Sequence, residues 1–97
     1  MHARSKTFEL DPAKLDAATE EFKKKHLHRF QAQKGFKRVT IMGNRKSGNV
    51  TAVSFWESES DMQASNELGR EAGEDMNRVG GGRGAVGGGD GEVLVDA

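Results

Sequence analysis

A chain of 97 residues with 34% hydrophobic side chains and no cysteine is one small domain, 1–97. Its core is small for a self-sufficient monomer, and neither a disulfide nor a thiolate metal site can support it. Lysine plus arginine equals aspartate plus glutamate at 15 each, which leaves no positive excess for a dedicated nucleic-acid binder.

No stretch reaches the roughly 20 apolar residues of a membrane span. The opening Met1-His2-Ala3-Arg4-Ser5 has no apolar signal-peptide region. The expected partners therefore exclude nucleic acid and membrane, the expected location is cytoplasmic, and pairing with a second copy is the route to more buried surface.

In chain order, residues 3–10, ARSKTFEL, read as a strand. Asp11-Pro12 starts a helix, since Asp accepts from free N–H groups of the first turn and Pro fits the first helical position. Leu15, Ala18, Phe22, His26, Arg29 and Phe30 then recur at helical spacing, which predicts a helix over 12–32 closed by Lys34-Gly35. The basic run Lys23-Lys24-Lys25 on that helix reads as a solvated face. Residues 36–42 and 49–57 are rich in branched and aromatic side chains and flank a turn at 45–49, so they predict an antiparallel hairpin with Gly48 available for positive φ.

Ser58 or Ser60 caps a second helix running to Val79, with Met62, Ser65, Leu68 or Gly69, Ala72, Met76 and Val79 as its buried stripe. Glu92-Val93-Leu94-Val95 reads as the last strand. The order βαββαβ predicts an α+β, ferredoxin-like fold, a four-stranded antiparallel sheet with two helices on one face.

Between the second helix and that last strand lies GGGRGAVGGGDG, residues 80–91. Gly82 to Gly87 spells G-x-G-x-x-G, but a phosphate cradle must leave a strand and open a helix. Here a helix precedes and a strand follows. The stretch is read as a flexible connection rather than a nucleotide site.

The segment GFKRVTIMGNRKSGNVTAVSFWESESDMQAS, with a Gly-Phe entering a strand, an R-x-S-G turn and a strand ending in Trp-Glu-Ser-Glu, resembles the antibiotic-biosynthesis-monooxygenase-like family. The opening MHARS is similar to small members too. The resemblance implies a homodimeric α+β barrel in which two sheets pack face to face. It implies a pocket between sheet and helices in each subunit, filled by a small aromatic ligand of quinol or anthrone type. Apolar or small residues at odd positions (Val39, Ile41, Val53, Phe55) and even ones (Met42, Val50, Ala52, Trp56) fit a sheet covered on both sides.

By the same resemblance Trp56 matches a pocket tryptophan of the quinone-forming oxygenases. Its indole N–H would hold a phenolic oxygen; the alternative is a core tryptophan at a strand end. The family asparagine before that tryptophan falls at Ala52, and the tyrosine after it at Met62. The haem-degrading branch needs an asparagine, a tryptophan and an iron-ligating histidine, which fall near Lys6, Ser65 and Asp75.

His26 is a candidate general base if it faces the pocket, and a half-buried structural histidine otherwise. His26 and His28 point to different sides of a helix and cannot pair on a metal. Met42 and Met62, with Met76, suit an apolar lining, and Asn66 and Arg70 are four apart on the second helix, within reach of a ligand oxygen or of solvent. No cofactor and no metal is expected. The expected activity is a cofactor-independent monooxygenase acting on an aromatic small molecule. The alternatives are a non-catalytic small-molecule-binding homodimer and a structural homodimer.

Overall fold

The computed structural model describes residues 1–97. Strand β1 spans His2–Glu9, a 3₁₀ turn Pro12–Lys14, helix α1 Leu15–Lys25 and helix α2 Leu27–Gln31. The hairpin is β2, Phe36–Gly43, and β3, Asn49–Trp56. Helices α3, Glu59–Ala64, and α4, Asn66–Gly80, lead to β4, Ala85–Glu92. The strands form one antiparallel sheet in the order β2-β3-β1-β4. This is the ferredoxin-like arrangement, with the helices on one face.

Local chemistry explains most boundaries. The Asp11 carboxylate accepts from the Ala13 N–H at 2.9 Å, and the Ser58 hydroxyl accepts from Asp61 N–H at 3.2 Å, so both helical entries are capped by side chains. Gly48 takes φ +82°, and a Cβ there would collide with the carbonyl oxygen of Leu10. The Gly48 carbonyl accepts from Leu10 N–H at 2.9 Å, so this glycine ties the hairpin to the end of β1.

Each predicted long helix is two. The first leaves helical geometry at His26 (φ −119°, ψ −30°), and the second at Ser65 (φ −95°, ψ 4°). Phe30, after the first break, and Met62, before the second, both belong to the core. On α4 it is Gly80, not Val79, that ends the buried stripe.

The last strand is also corrected. It is the glycine-rich stretch itself, 85–92, and not 92–95. Gly87, Gly88 and Gly89 pair with Thr7, Lys6 and Ser5 of β1. A Cβ on Gly88 would run into the Ser5 carbonyl, so close backbone approach, not flexibility, is what glycine provides there. Beyond the ladder, Val93 N–H still donates to the Met1 carbonyl at 2.8 Å, while Leu94 and Val95 lie exposed.

Only 18 of 97 residues are buried, so the core is small. It lies between sheet and helices and is built from Phe8, Leu15, Phe22, Phe30, Val50, Trp56, Met62, Leu68 and Met76, among others. Register decides which strand positions join it. Because Ile41 pairs with Ala52 and Val39 with Ser54, the odd residues of β2 share a face with the even residues of β3. The helix-facing set is therefore Val39, Ile41, Val50, Ala52 and Trp56. Met42, Val53 and Phe55 occupy the opposite face, where the Arg38 guanidinium lies 4.4 Å above the Phe55 ring.

Candidate functional site

A cleft opens between the sheet and helices α1, α2 and α4. It measures about 420 Å³ counted out through its open mouth, of which about 50 Å³ is free for a water-sized molecule. Its walls are mostly apolar: Phe8 from β1, Phe22 and Phe30 from the first helices, Val39 and Ala52 from the hairpin, and Ala72 and Met76 from α4. Ser54, Gly69 and Gly73 complete the lining, with two cations, Arg4 and Lys6. No acid lines it.

The cations come from β1. Strand alternation puts His2, Arg4, Lys6 and Phe8 on one face, and buried Phe8 shows that this face is the core side. Arg4 donates to the Asn66 amide oxygen and, at 2.6 Å, to the Ser65 hydroxyl. Ser65 in turn donates to the Met62 carbonyl at 2.6 Å. This fixes the guanidinium against the α3–α4 junction without neutralising it. Burial holds Arg4 below its ordinary pKa, opposed by Asp90. The Lys6 ammonium is also pushed down, first by burial and then by the positive charges of Arg4 and Arg70, with Glu74 opposing.

Trp56 is fully buried and does not line the cleft. Its ring packs against Phe36 at 5.6 Å and Phe30 at 6.2 Å. Its indole N–H donates to the Ser54 hydroxyl at 2.9 Å, so the donor expected to meet a ligand is already engaged.

His26 is buried at the α1–α2 break, also away from the cleft lining. Its Nε2 lies 2.8 Å from a carboxylate oxygen of Asp75, and Arg29 faces Nδ1 at 3.3 Å. Because arginine can only donate, the proton belongs on Nε2, pointing at Asp75. Asp75 also accepts from Arg78 at 2.9 Å. The hydrogen bond from His26, then that from Arg78, holds the Asp75 carboxyl down at about 2. The group joins the first helices to α4.

The remaining sequence candidates scatter. Met42 is 62% exposed on the far face of the sheet, and Met62 is in the core. Asn66 serves Arg4. Arg70 is spent on Glu67 and Glu74 of its own helix. Sequence reasoning missed Arg4 and Lys6 as cleft residues and Gly69 and Gly73 as its roof. The available signal was the shared face with Phe8.

No group of three His, Asp or Glu side chains is placed to hold a metal. A haem does not fit the donor set: the cleft lining has no histidine, cysteine or tyrosine, and the position expected of an iron ligand, near Asp75, holds a carboxylate tied to His26.

No family model matches the chain, and no curated protein does. Solved structures do. The chain is similar over 100% of its length to 99% of the haem-degrader MhuD from Mycobacterium tuberculosis, with TM-score 0.74 and 20% identity. Similarity to the monooxygenase ActVA-Orf6 of Streptomyces coelicolor, solved with nanaomycin D, covers 98% of this chain and 92% of that one, at TM-score 0.67 and 19% identity. SnoaB, a cofactor-independent oxygenase from Streptomyces nogalater, matches over 98% and 94% at TM-score 0.68 and 14% identity. The chain has the α+β fold of the antibiotic biosynthesis monooxygenases.

Proposed function

We propose that this protein is a homodimer that binds a small aromatic molecule in the cleft between its sheet and helices. The observation that carries the reading is the cleft itself: aromatic and aliphatic walls with a few convergent polar groups, the usual composition of a small-molecule site. Its free volume of about 50 Å³ is water-sized. A benzene-sized guest needs roughly 150 Å³. Binding therefore displaces lining side chains, and Met76, unbranched and flexible, is the one that yields most easily.

The dimer is supported by the uncovered face of the sheet, where Met42, Val53 and Phe55 lie among Thr40, Thr51 and the small residues of β1. A second copy covering it would enlarge a core of few residues.

A methyl-labelled NMR titration with 2-naphthol tests the binding. The Met76 methyl should shift and the Met42 methyl, on the other face, should not. Ala52→Leu, which fills the cleft, should abolish the effect. Shifts at Met42 alone, or none, would refute the reading. Sedimentation of wild type and Val53→Glu tests the dimer: a wild-type monomer would refute it.

Oxygenation of the bound molecule is a second reading, favoured by the fold shared with ActVA-Orf6 and SnoaB. An anthrone-type substrate would lose a proton, pass an electron to dioxygen, combine with the reduced oxygen to a peroxide anion that takes a proton back, and lose water from that hydroperoxide to give a quinone. Neither Trp56 nor His26 reaches the cleft to assist. Oxygen uptake with an anthrone, measured beside Trp56→Phe and His26→Ala, tests it. Uptake indistinguishable from buffer goes against oxygenation of that substrate class.

A further inference from the structure

We propose that Arg4 and Lys6 form an oxyanion site in the cleft, so that the ligand bound there is an aromatic acid, held through its carboxylate or phenolate. The inference rests on the reading of the cleft as a binding site and adds the charge of what it binds.

Three observations support it. First, both cations stand on the core-facing side of β1, beside Phe8, where a strand in a small domain ordinarily places apolar residues. Second, neither is neutralised there. Arg4 meets only the neutral oxygens of Asn66 and Ser65. The nearby acids of α4 are committed elsewhere: Glu67 and Glu74 hold Arg70, and Glu71 holds Arg29 at 2.8 Å. Asp90 of β4 influences Arg4 but lies within ion-pair distance of His2 instead. Lys6 is left without an ion pair, and Glu74 acts on its charge without reaching it.

Third, α4 presents glycine at the two positions that lie against the cations. A Cβ built on Gly69 would lie 3.5 Å from the Arg4 guanidinium carbon, and one on Gly73 would lie 3.9 Å from the Lys6 ammonium and 3.2 Å from Phe8. Each glycine leaves about a methyl's worth of space, over the face of the Arg4 guanidinium and beside the Lys6 ammonium.

Half-burying two like charges side by side opposes folding unless something compensates them. An oxyanion on a ligand that enters the cleft beside Arg4 and Lys6 does so. Each terminal nitrogen of Arg4 keeps one N–H beyond those given to Asn66 and Ser65, and the ammonium adds a movable donor. The depressed Lys6 ammonium is consistent with a site that is waiting for negative charge.

The test uses three probes of one shape: 2-naphthoate, 2-naphthol and the neutral 2-naphthalenemethanol, titrated by calorimetry into the full-length protein. Naphthoate should bind at least about tenfold more tightly than the alcohol, the discrimination a charge-assisted hydrogen bond supplies. Lys6→Met should remove that preference, read as the ratio of naphthoate to alcohol affinity in the same variant, with folding checked by circular dichroism. Lys6→Gln serves as the second variant. If naphthol also binds more tightly than the alcohol at neutral pH and loses that advantage in Lys6→Gln, a phenol oxygen is accepted too; if only naphthoate shows the preference, the site takes carboxylates.

Naphthoate binding no tighter than the alcohol, or a preference unmoved by both Lys6 variants, would overturn the oxyanion site and leave the cleft reading standing. Failure of all three probes to bind would overturn both.

Discussion

The His26–Asp75 pair gives the sharpest separation between a structural and a catalytic histidine. Its coupling is measured by a double-mutant cycle of His26→Ala, Asp75→Ala and the double variant in urea unfolding at one protein concentration. A hydrogen bond to a charged group contributes about 1.5–3 kcal/mol. His26 is 4% exposed, which favours the upper part of that range. The Asp75 side chain is 24% exposed and shared with Arg78, which favours the lower part. The expected coupling is therefore about 2 kcal/mol, near the middle of that range.

A parallel cycle on Lys23 and Glu20, both more than half exposed, should give no more than about 0.5 kcal/mol. Acid supplies a second arm. Asp75 ionises in the folded chain at about 2 against 3.8 ordinarily. Its contribution is thus complete above pH 3.8 and lost as pH falls toward 2, because the unfolded chain takes up the proton first. The Asp75→Ala curve should lack that fall. A coupling below about 0.5 kcal/mol, within ordinary non-additivity, would refute the clamp. So would an oxygen-uptake loss in His26→Ala with stability unchanged.

Trp56 is the only tryptophan, so its emission reports one site. It should be blue-shifted and insensitive to acrylamide, and Trp56→Phe, which leaves the Ser54 hydroxyl without its donor, should cost about 1–3 kcal/mol in urea unfolding; quenchable, red-shifted emission would contradict the packing. Gly48→Ala forces a left-handed backbone on alanine and a collision with the Leu10 carbonyl, so it should destabilise by at least about 2 kcal/mol; a change within about 0.5 kcal/mol, the range of neutral surface substitutions, would argue against that turn. Reductively methylated Lys6, followed by carbon NMR, should titrate below the ordinary lysine value and move back up when naphthoate is bound; a lysine of ordinary titration at that position would remove the electrostatic support for the oxyanion site.

Much of the fold was legible because its signals are local. The Asp11 and Ser58 caps, the hairpin and the positive-φ Gly48 all appear where the residue chemistry places them. What was not legible depends on partners distant in sequence. Strand β4 has no side-chain alternation to read; its ladder is imposed by β1, whose Ser5 carbonyl lies where a Cβ on Gly88 would be. The apolar run Val93-Leu94-Val95 looks like a strand and is not one, because it passes the end of β1. The faces of the hairpin were sorted by parity within each strand, but the pairing of Ile41 with Ala52 inverts the parity from one strand to the next. Register is a property of the pair, not of either strand.

The site was less legible for a related reason: a residue type announces a capacity, while its neighbours decide whether that capacity is free. Trp56 and His26 carry the donors and acceptors that oxygenation or proton transfer needs, yet Ser54 and Asp75 consume them. Arg4 and Lys6 alternate with small residues on a strand and look solvent-facing, yet Phe8 on the same face is buried and the opposing helix carries glycines where it would touch them. The charged capacity left over in the cleft is therefore cationic. Such a site favours the deprotonated form of an acidic aromatic molecule, and a deprotonated aromatic is also the electron donor that cofactor-free reaction with dioxygen requires. The two readings of this protein thus meet at one atom, the Lys6 ammonium nitrogen. Lys6→Met should impair naphthoate binding in either case, but it should slow oxygen uptake with an anthrone only where the bound anion goes on to react.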